Sequence, residues 1–422
     1  MDTGGTHRAI EAVFRIERAR LIAGLARIVR DMDRAEELAQ DALVVALAEW
    51  PRTGVPANPG AWLMTAARRR AIDAIRRDRM RARKHEEIAR ELEGEADDSE
   101  AAAVEAALDD DLGDELLGLI FTACHPILSA DARAALTLRV VGGLTTDEIA
   151  RAFLSSEAAI AQRIVRAKKA IAKAGLGFEV PRGAERAARL ASVLEVVYLI
   201  FNEGYAATAG DDLVRPGLCL EAQRLGRILA GLMPEDAEVL GLLALMEIQA
   251  SRLAARTGPD GALLTLNEQN RARWDPLLIR RGLDALARAE ALAKDPGRDG
   301  PYVLQAALAA CHARAPSAAE TDWPRIASLY DRLRTVMPSP VVDLNRAIAH
   351  SMAFGPEAGL RLVDAIAGDA LRDYAPLPAA RGDFLFRAGR RAEARTAFEA
   401  AARLTRNARE RAFLLARAAA CG

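Results

Sequence analysis

The chain reads as an all-α protein. Alanine, leucine and arginine recur at helical spacing almost throughout, alternating runs of β-branched residues are nearly missing, and prolines at 234, 276, 296, 316, 338, 356 and 378 punctuate the second half. Its 422 residues exceed one compact core, and roughly 150 residues per domain implies two to four. With 51% hydrophobic and 5% aromatic residues and a formal net charge of −1, affinity for a polyanion has to come from local basic faces. Cys124, Cys219, Cys311 and Cys421 are far apart in sequence, which argues against a disulfide framework and a structural zinc site. No apolar run reaches the roughly 18 residues of a membrane span. The expectation is a soluble, cytoplasmic protein with no cofactor, metal or catalytic residue.

The first helical unit covers residues 8 to 80 and is interrupted by "WPRTGVPANPGAW", whose prolines and glycines predict a surface loop from 50 to 62. Before the loop, "DRAEELAQDALVVALAEW" directs Leu38, Ala42, Val45 and Leu47 toward a core and sets Glu37 and Asp41 one turn apart on another face. Like charges at that spacing repel, so the face is either merely solvated or meets a basic partner. After the loop, "AWLMTAARRRAIDAIRR" aligns Trp62, Leu63, Ala67, Ala71 and Ile75, and masses Arg68, Arg69, Arg70, Arg76 and Arg77 elsewhere. An arginine-rich helix introduced by an aromatic suits phosphate contacts and capture of unstacked bases.

A strongly acidic tract from Lys84 to Glu115 then separates this unit from a second basic one and fits a solvated linker. The second unit carries "LTTDEIARAFLSSEAAIAQRIVRAKKAI". Thr146 is positioned to cap a helix with Ile149 and Phe153 on one face, and Ala150 is small enough for a second helix to cross. Ser156 caps that second helix, Ile160 and Ile164 point inward, and Gln162, Arg163, Arg166, Lys168 and Lys169 point outward. The stretch is a helix-turn-helix that enters a DNA groove, or an ordinary two-helix corner with a solvated basic face. "GLGFEVPRG" marks its exit, and from Ala184 onward the chain is a helical array. In "ARGDFLFRAGRRAEARTAFEAAARL" the spacing of Gly382, Leu385, Gly389, Ala394, Phe398 and Ala401 is that of a tetratricopeptide helix pair, with a fainter echo at 345 to 366. No strict 34-residue period runs through the array. Glu203, Asp211 and Asp212 lack any accompanying nucleophile or phosphate loop and read as helix-end and loop contacts.

Taken in order, "AEELAQD", "NPGAWLMTAARRRAIDAIRR", the acidic tract and "RIVRAKKAI" resemble the extracytoplasmic-function sigma factors of bacterial RNA polymerase. "LIFTACHP", "YLIFNEGYAATAGDDLVR", "RWDPLLIRRGLDAL" and "GPYVLQAALAACHARAP" extend the resemblance to the subgroup with a tetratricopeptide-like C-terminal extension. It implies region 2 at 1–81, a linker at 82–115, region 4 at 116–177 and a solenoid-like extension at 184–422. It places Glu37, Leu38, Gln40 and Asp41 against the β′ clamp of core polymerase, which would supply the basic partner, and implies the β flap as a second contact. Trp62, Arg68, Arg69, Arg70, Arg76 and Arg77 then fall on the −10 element of promoter DNA. Ser155, Ser156, Gln162, Arg163, Arg166, Lys168 and Lys169 fall on the −35 element. Where such factors often carry asparagine, glycine, threonine and lysine, this chain has Arg69, Leu154, Ala159 and Ala161. The expected partners are core polymerase, promoter DNA, and either an intramolecular contact of the extension with the sigma regions or a separate regulatory protein. The alternatives are a helix-turn-helix regulator, or a helical-repeat scaffold, that never joins polymerase.

Overall fold

The computed structural model describes residues 3–89, 112–153, 155–205, 215–256, 258, 264–292, 299–366, 371–405 and 408–422, and among them no residue lies in a strand. None of the described helices is long and apolar enough to cross a membrane. The contacts divide the chain into two compact units, Met1–Leu232 and Met233–Gly422.

In the first unit, α1 (Thr3–Val29), α2 (Met32–Thr53) and α3 (Pro59–Ala89) pack pairwise around Ile10, Leu21, Ile22, Leu25, Leu63 and Trp50. Alanines 35, 39 and 42 of α2 and 67 and 71 of α3 are buried, so small side chains line the packed faces of both helices and allow close spacing. Asp31 caps α2 by accepting from the Arg34 amide at 2.7 Å, and Asn58 accepts from the Ala61 amide at the start of α3. Pro51 to Thr53 continue α2 and Pro59 opens α3, so the predicted 50–62 loop shrinks to residues 54–58. Helix α3 runs past the predicted end of its unit to Ala89, so the start of the acidic tract is helical rather than a linker.

The tract's other end belongs to α4 (Leu112–Ala123), where Glu115 is 4% exposed, against the expectation of a solvated carboxylate. Helices α5 (Ala130–Val140), α6 (Thr146–Ala152) and α7 (Glu157–Lys173) follow. Helix α6 is capped by Thr145, not Thr146: the Thr145 hydroxyl accepts from the Glu148 amide and the Glu148 carboxylate accepts from the Thr145 amide. Ser156 caps α7 through the Ala159 amide. Leu154 in the turn lies outside the described residues, as do Asp211 and Asp212.

Two further helices, α8 (Gly183–Tyr205) and α9 (Pro216–Leu232), complete this unit. Helix α8 packs on α4 and α5, and α9 packs on α8 and α4. Three arginines from this hairpin reach carbonyls at the C-terminal ends of the helices beneath: Arg189 to Phe121 O of α4 at 2.9 Å, Arg224 to Val141 O just past α5 at 3.0 Å, and Arg215 to Ala152 O of α6 at 2.6 Å. Helix ends carry unsatisfied carbonyls and partial negative charge, so guanidinium groups there both bond and neutralise. Arg133 of α5 donates in return to Glu195 of α8 at 2.9 Å, and Ser192 donates to Cys124 O. A boundary at residue 184 therefore cuts through a packed unit, whose contacts end instead near Leu232.

The second unit begins with α10 (Ala237–Ser251), which packs against α11 (Pro276–Leu292) and α12 (Pro301–Arg314). Glu238 accepts from the Tyr302 and Val303 amides, both at 3.0 Å, and so caps α12 from a distance in sequence. Thereafter α13 (Trp323–Val336), α14 (Pro340–Phe354), α15 (Pro356–Asp364), α16 (Pro376–Arg387), α17 (Arg391–Leu404) and α18 (Ala408–Ala419) each pack against the next. Gly355 and Gly389, at φ of 92° and 79°, make the turns inside α14–α15 and α16–α17, a conformation L side chains rarely adopt. Within the second pair a methyl on Gly382 would sit 2.9 Å from the Phe398 ring, the small-against-large crossing expected from the spacing.

Candidate nucleic-acid interface

The candidate residues of α2 sort by face. Glu37, Gln40 and Asp41 are exposed, Glu37 within 3.6 Å of Arg34, and form one polar strip. Leu38 is only 4% exposed. It lies on the apolar stripe with Ala35 and Ala42, one turn away to either side, and supports the strip from beneath rather than meeting a partner. Val45 and Leu47 are half-buried.

On α3, Arg69, Arg76 and Arg77 are exposed, and Arg70 is half-buried. Arg77 turns partly back, donating to Asp73 O at 3.2 Å. Trp62 is half-buried and meets Trp50 edge to face, with ring centroids 5.2 Å apart, so the buried Trp50 ring fixes its orientation. Beside it, residues 54 to 58 are mostly exposed. An aromatic held at the mouth of a short loop, followed by outward arginines, can stack a base and bind its phosphates. Arg68 differs: its Nη2 lies 3.6 Å from the buried Glu115 of α4.

Helix α7 inserts Ile160, Ile164, Ala167 and Ile171 into the core and exposes Gln162, Arg166 and Lys169. Ser156 is exposed at its N-terminus, and Ser155 is half-buried. Arg163 is held toward α5, 3.7 Å from Asp131. Helix α6 crosses behind α7, so its exposed face, led by an N-terminus rich in amide donors, has the form that fits a major groove. Ala158, Ala159 and Ala161 are exposed beside it and bring no phosphate donors.

Lys168 contradicts the outward expectation. It is 8% exposed, with Nζ 2.7 Å from Asp33 and 3.5 Å from Glu36 of α2. Glu36 Oε2 also lies 3.9 Å from Arg18 of α1 and 3.8 Å from Arg139 of α5, and Arg18 donates to Arg139 O at 3.2 Å. Burial, opposed by Glu36 and assisted by Arg139, holds the Arg18 pKa below its ordinary value. The physical reason for the burial of Lys168 is its register: four residues after Ile164 and three before Ile171, it belongs to the apolar stripe, and a carboxylate pair meets it there. Glu36 likewise follows Met32 by four on the buried face of α2. Lys168 was expected on the DNA face, whereas Arg18 and Glu36 were absent from the expected site, although a charge standing on an apolar stripe signals each of them.

Comparison with known proteins matches residues 13–81 to Sigma-70 region 2 and residues 119–171 to Sigma-70, region 4. Residues 189–290 match a family of unknown function, DUF6596. An uncharacterized protein of Rhizobium meliloti (strain 1021) is 43% identical over 414 residues, covering 98% of this chain and 95% of that one. No solved structure matches.

Proposed function

We infer the role of this chain from the family to which it belongs, the sigma-70 factors, in the two-region architecture of the extracytoplasmic-function type with a C-terminal extension. Membership carries a role in transcription initiation, through core RNA polymerase and promoter DNA, and this is not an enzyme family. The finer reading is that α2 docks on the β′ clamp through Glu37, Gln40 and Asp41. The α3 arginines and Trp62 then engage the −10 element, and Ser156, Gln162, Arg163, Arg166 and Lys169 of α7 read the −35 element, with Ser155 shaping the turn. The observation that carries it is the presence, in one chain, of two separate helices with outward cationic faces, each within a segment matched to the region that would use it. The extension, which we read as solenoid-like because each of its later helices packs on the next, acts by holding region 4 in a defined position through α8 and α9.

The deciding experiment reverses the polar strip. Glu37→Lys with Asp41→Lys removes the charge that a basic clamp would meet, while exposed changes alter stability by less than about 0.5 kcal/mol. Binding to core polymerase and promoter-directed transcription should both be lost with helical circular dichroism unchanged. Undiminished binding to core refutes the docking assignment.

A further inference from the structure

Helix α11 takes no part in the function proposed above, yet it presents a cationic face. Its back is seated on α10: Gly282, Ala285, Leu286 and Ala289 are buried, and a methyl on Gly282 would lie 2.5 Å from Ile248 Cγ1 and 3.1 Å from Ala244 O, so the two helices meet at the backbone. This contact fixes which side of α11 turns outward. By helical period Leu277, Arg280, Arg281, Asp284 and Arg288 gather on that side, and all five are exposed.

What sets these arginines apart is that no carboxylate answers them. Elsewhere in the second unit exposed arginines lie on acids: Arg334 is 2.6 Å from Asp343, Arg390 is 2.6 Å from Glu393 and Arg395 is 3.0 Å from Glu399. Among the described residues, Arg280, Arg281 and Arg288 make no ion pair, although Asp284 stands one turn from both Arg280 and Arg288. Asp275, at the start of the helix, is occupied in accepting from the Leu277 and Leu278 amides at 2.8 and 3.2 Å. The face therefore carries three guanidinium groups against one carboxylate over about 12 Å of helix. Surface ion pairs contribute little to stability, so leaving these arginines unpaired costs the fold little and keeps their donors open to a polyanion. Duplex DNA carries one charge per about 1.7 Å of its axis, and a face of this length lies opposite several phosphates.

We propose that α11 is a third DNA-contacting surface of this chain, one that takes the phosphate backbone of duplex beyond the −35 element without reading its sequence. The face stands on its own charges; the place of the DNA rests on the sigma-factor reading above. The second unit continues directly from α9 at Met233, so a chain held at the −35 element presents α11 to the adjoining duplex at high effective concentration. Arginine suits the task, because its planar fork of donors matches a phosphate. The remainder of the face, Leu277 and Ala287, brings no group that reads a base edge, so the contact is to the backbone.

The test compares holoenzyme, formed from core polymerase and the full-length chain, on two promoter fragments, one ending just upstream of the −35 element and one extending several helical turns further. The native chain should bind the longer fragment more tightly and with a steeper dependence on salt. Arg280→Ala, Arg281→Ala and Arg288→Ala together should abolish that gain and leave the shorter fragment unaffected. On the longer fragment they should flatten the slope of log K against log salt by about 2.7, at about 0.9 for each of three phosphates. Arg334→Ala, Arg390→Ala and Arg395→Ala together remove the same charge from arginines that are already paired, and should keep the gain. Asp284→Asn takes the one carboxylate from the face and should tighten the longer fragment further, a change that misfolding cannot imitate. A triple α11 variant with the native gain and slope overturns the proposal, as does a paired-arginine variant that loses as much. If the α11 variant instead loses capture of core in the absence of DNA, the face belongs to a protein partner and the proposal is again overturned. A native holoenzyme that binds neither fragment counts against the sigma-factor reading; the free chain on a random-sequence duplex then decides the face, by the same difference in slope between the two triple variants.

Discussion

Replacing Gly118 by alanine should loosen the junction through which region 4 passes into the extension. Gly118 lies inside α4, where a Cβ would stand 2.1 Å from the carbonyl oxygen of Phe178 and 2.9 Å from its carbon. That overlap is with backbone, so no rotamer change relieves it, and the segment from Gly177 to Phe178 has to lift away. Lifting it exposes the Phe178 ring, now 4% exposed, and breaks the bond from the Thr122 hydroxyl to Gly177 O at 3.0 Å. The first loss is about 2 kcal/mol and the second about 1, while the greater helix propensity of alanine returns about 1. The net destabilisation is about 2 kcal/mol, or about 4–8 °C in the melting temperature of a unit this size. Gly231→Ala in α9 is the matched control, because nothing lies within 4 Å of its would-be Cβ and the helix should be slightly stabilised. Urea unfolding followed by circular dichroism reads both variants, with the second unit as an internal standard. A Gly118→Ala midpoint equal to that of the native protein would show that the exit segment is not seated on α4.

Arg166→Ala should weaken promoter binding by about 1–3 kcal/mol if the side chain reads a base edge, with selectivity relaxed at one −35 position; a phosphate contact would instead lower affinity evenly and flatten the salt dependence, as a titration over salt concentrations distinguishes. Arg163→Ala should cost less than Arg166→Ala in the same assay, because Arg163 is already shared with Asp131. Arg215→Ala removes a charge-assisted bond to the end of α6 together with the 2.6 Å ion pair to Glu203, so the first unit should lose about 1.5–3 kcal/mol in chemical denaturation, and Arg215→Lys should recover only part of it. In the second unit, burial and the charges of Arg252 and Arg271 push the pKa of His312 down to about 4. The unfolded chain takes up that proton near pH 6.5 while the folded chain refuses it until about pH 4, so stability should fall by up to about 3 kcal/mol as the pH drops between those values, and His312→Gln should flatten the slope.

Much of the first unit was legible because its devices are local. The helix periods, the Ser156 cap and the inward set Ile160 and Ile164 follow from spacing, and the outward Arg69, Gln162 and Arg166 follow from the faces left over. The cap of α6 was misplaced by one residue, although Thr145 and Glu148 have the spacing of a capping box. What reading by charge concealed was register. Arg18, Glu36 and Lys168 all stand on apolar stripes, and a rule that sends charged residues outward loses them; only the pairing of three such stripes explains how they are buried. The boundary near residue 184 was drawn on the composition of "GLGFEVPRG", which is turn-like. No local signal says that Arg189, Arg215 and Arg224 return to cap helices some 60 to 80 residues earlier.

Those three arginines bear on how such a chain can be recombined. A gene fusion that exchanged the extension at residue 184 would deliver helices α4 to α6 with their C-terminal carbonyls uncapped, and would hand the recipient a hairpin built for another surface. A crossover after Leu232 keeps each arginine with the carbonyl it serves. The segment matched to the family of unknown function, residues 189–290, straddles that point, so it spans both compact units and does not coincide with either. Inherited portability and sequence-family limits therefore differ in this protein, and chimaeras that trade regulatory tails should tolerate joints near 232 and fail at joints near 184.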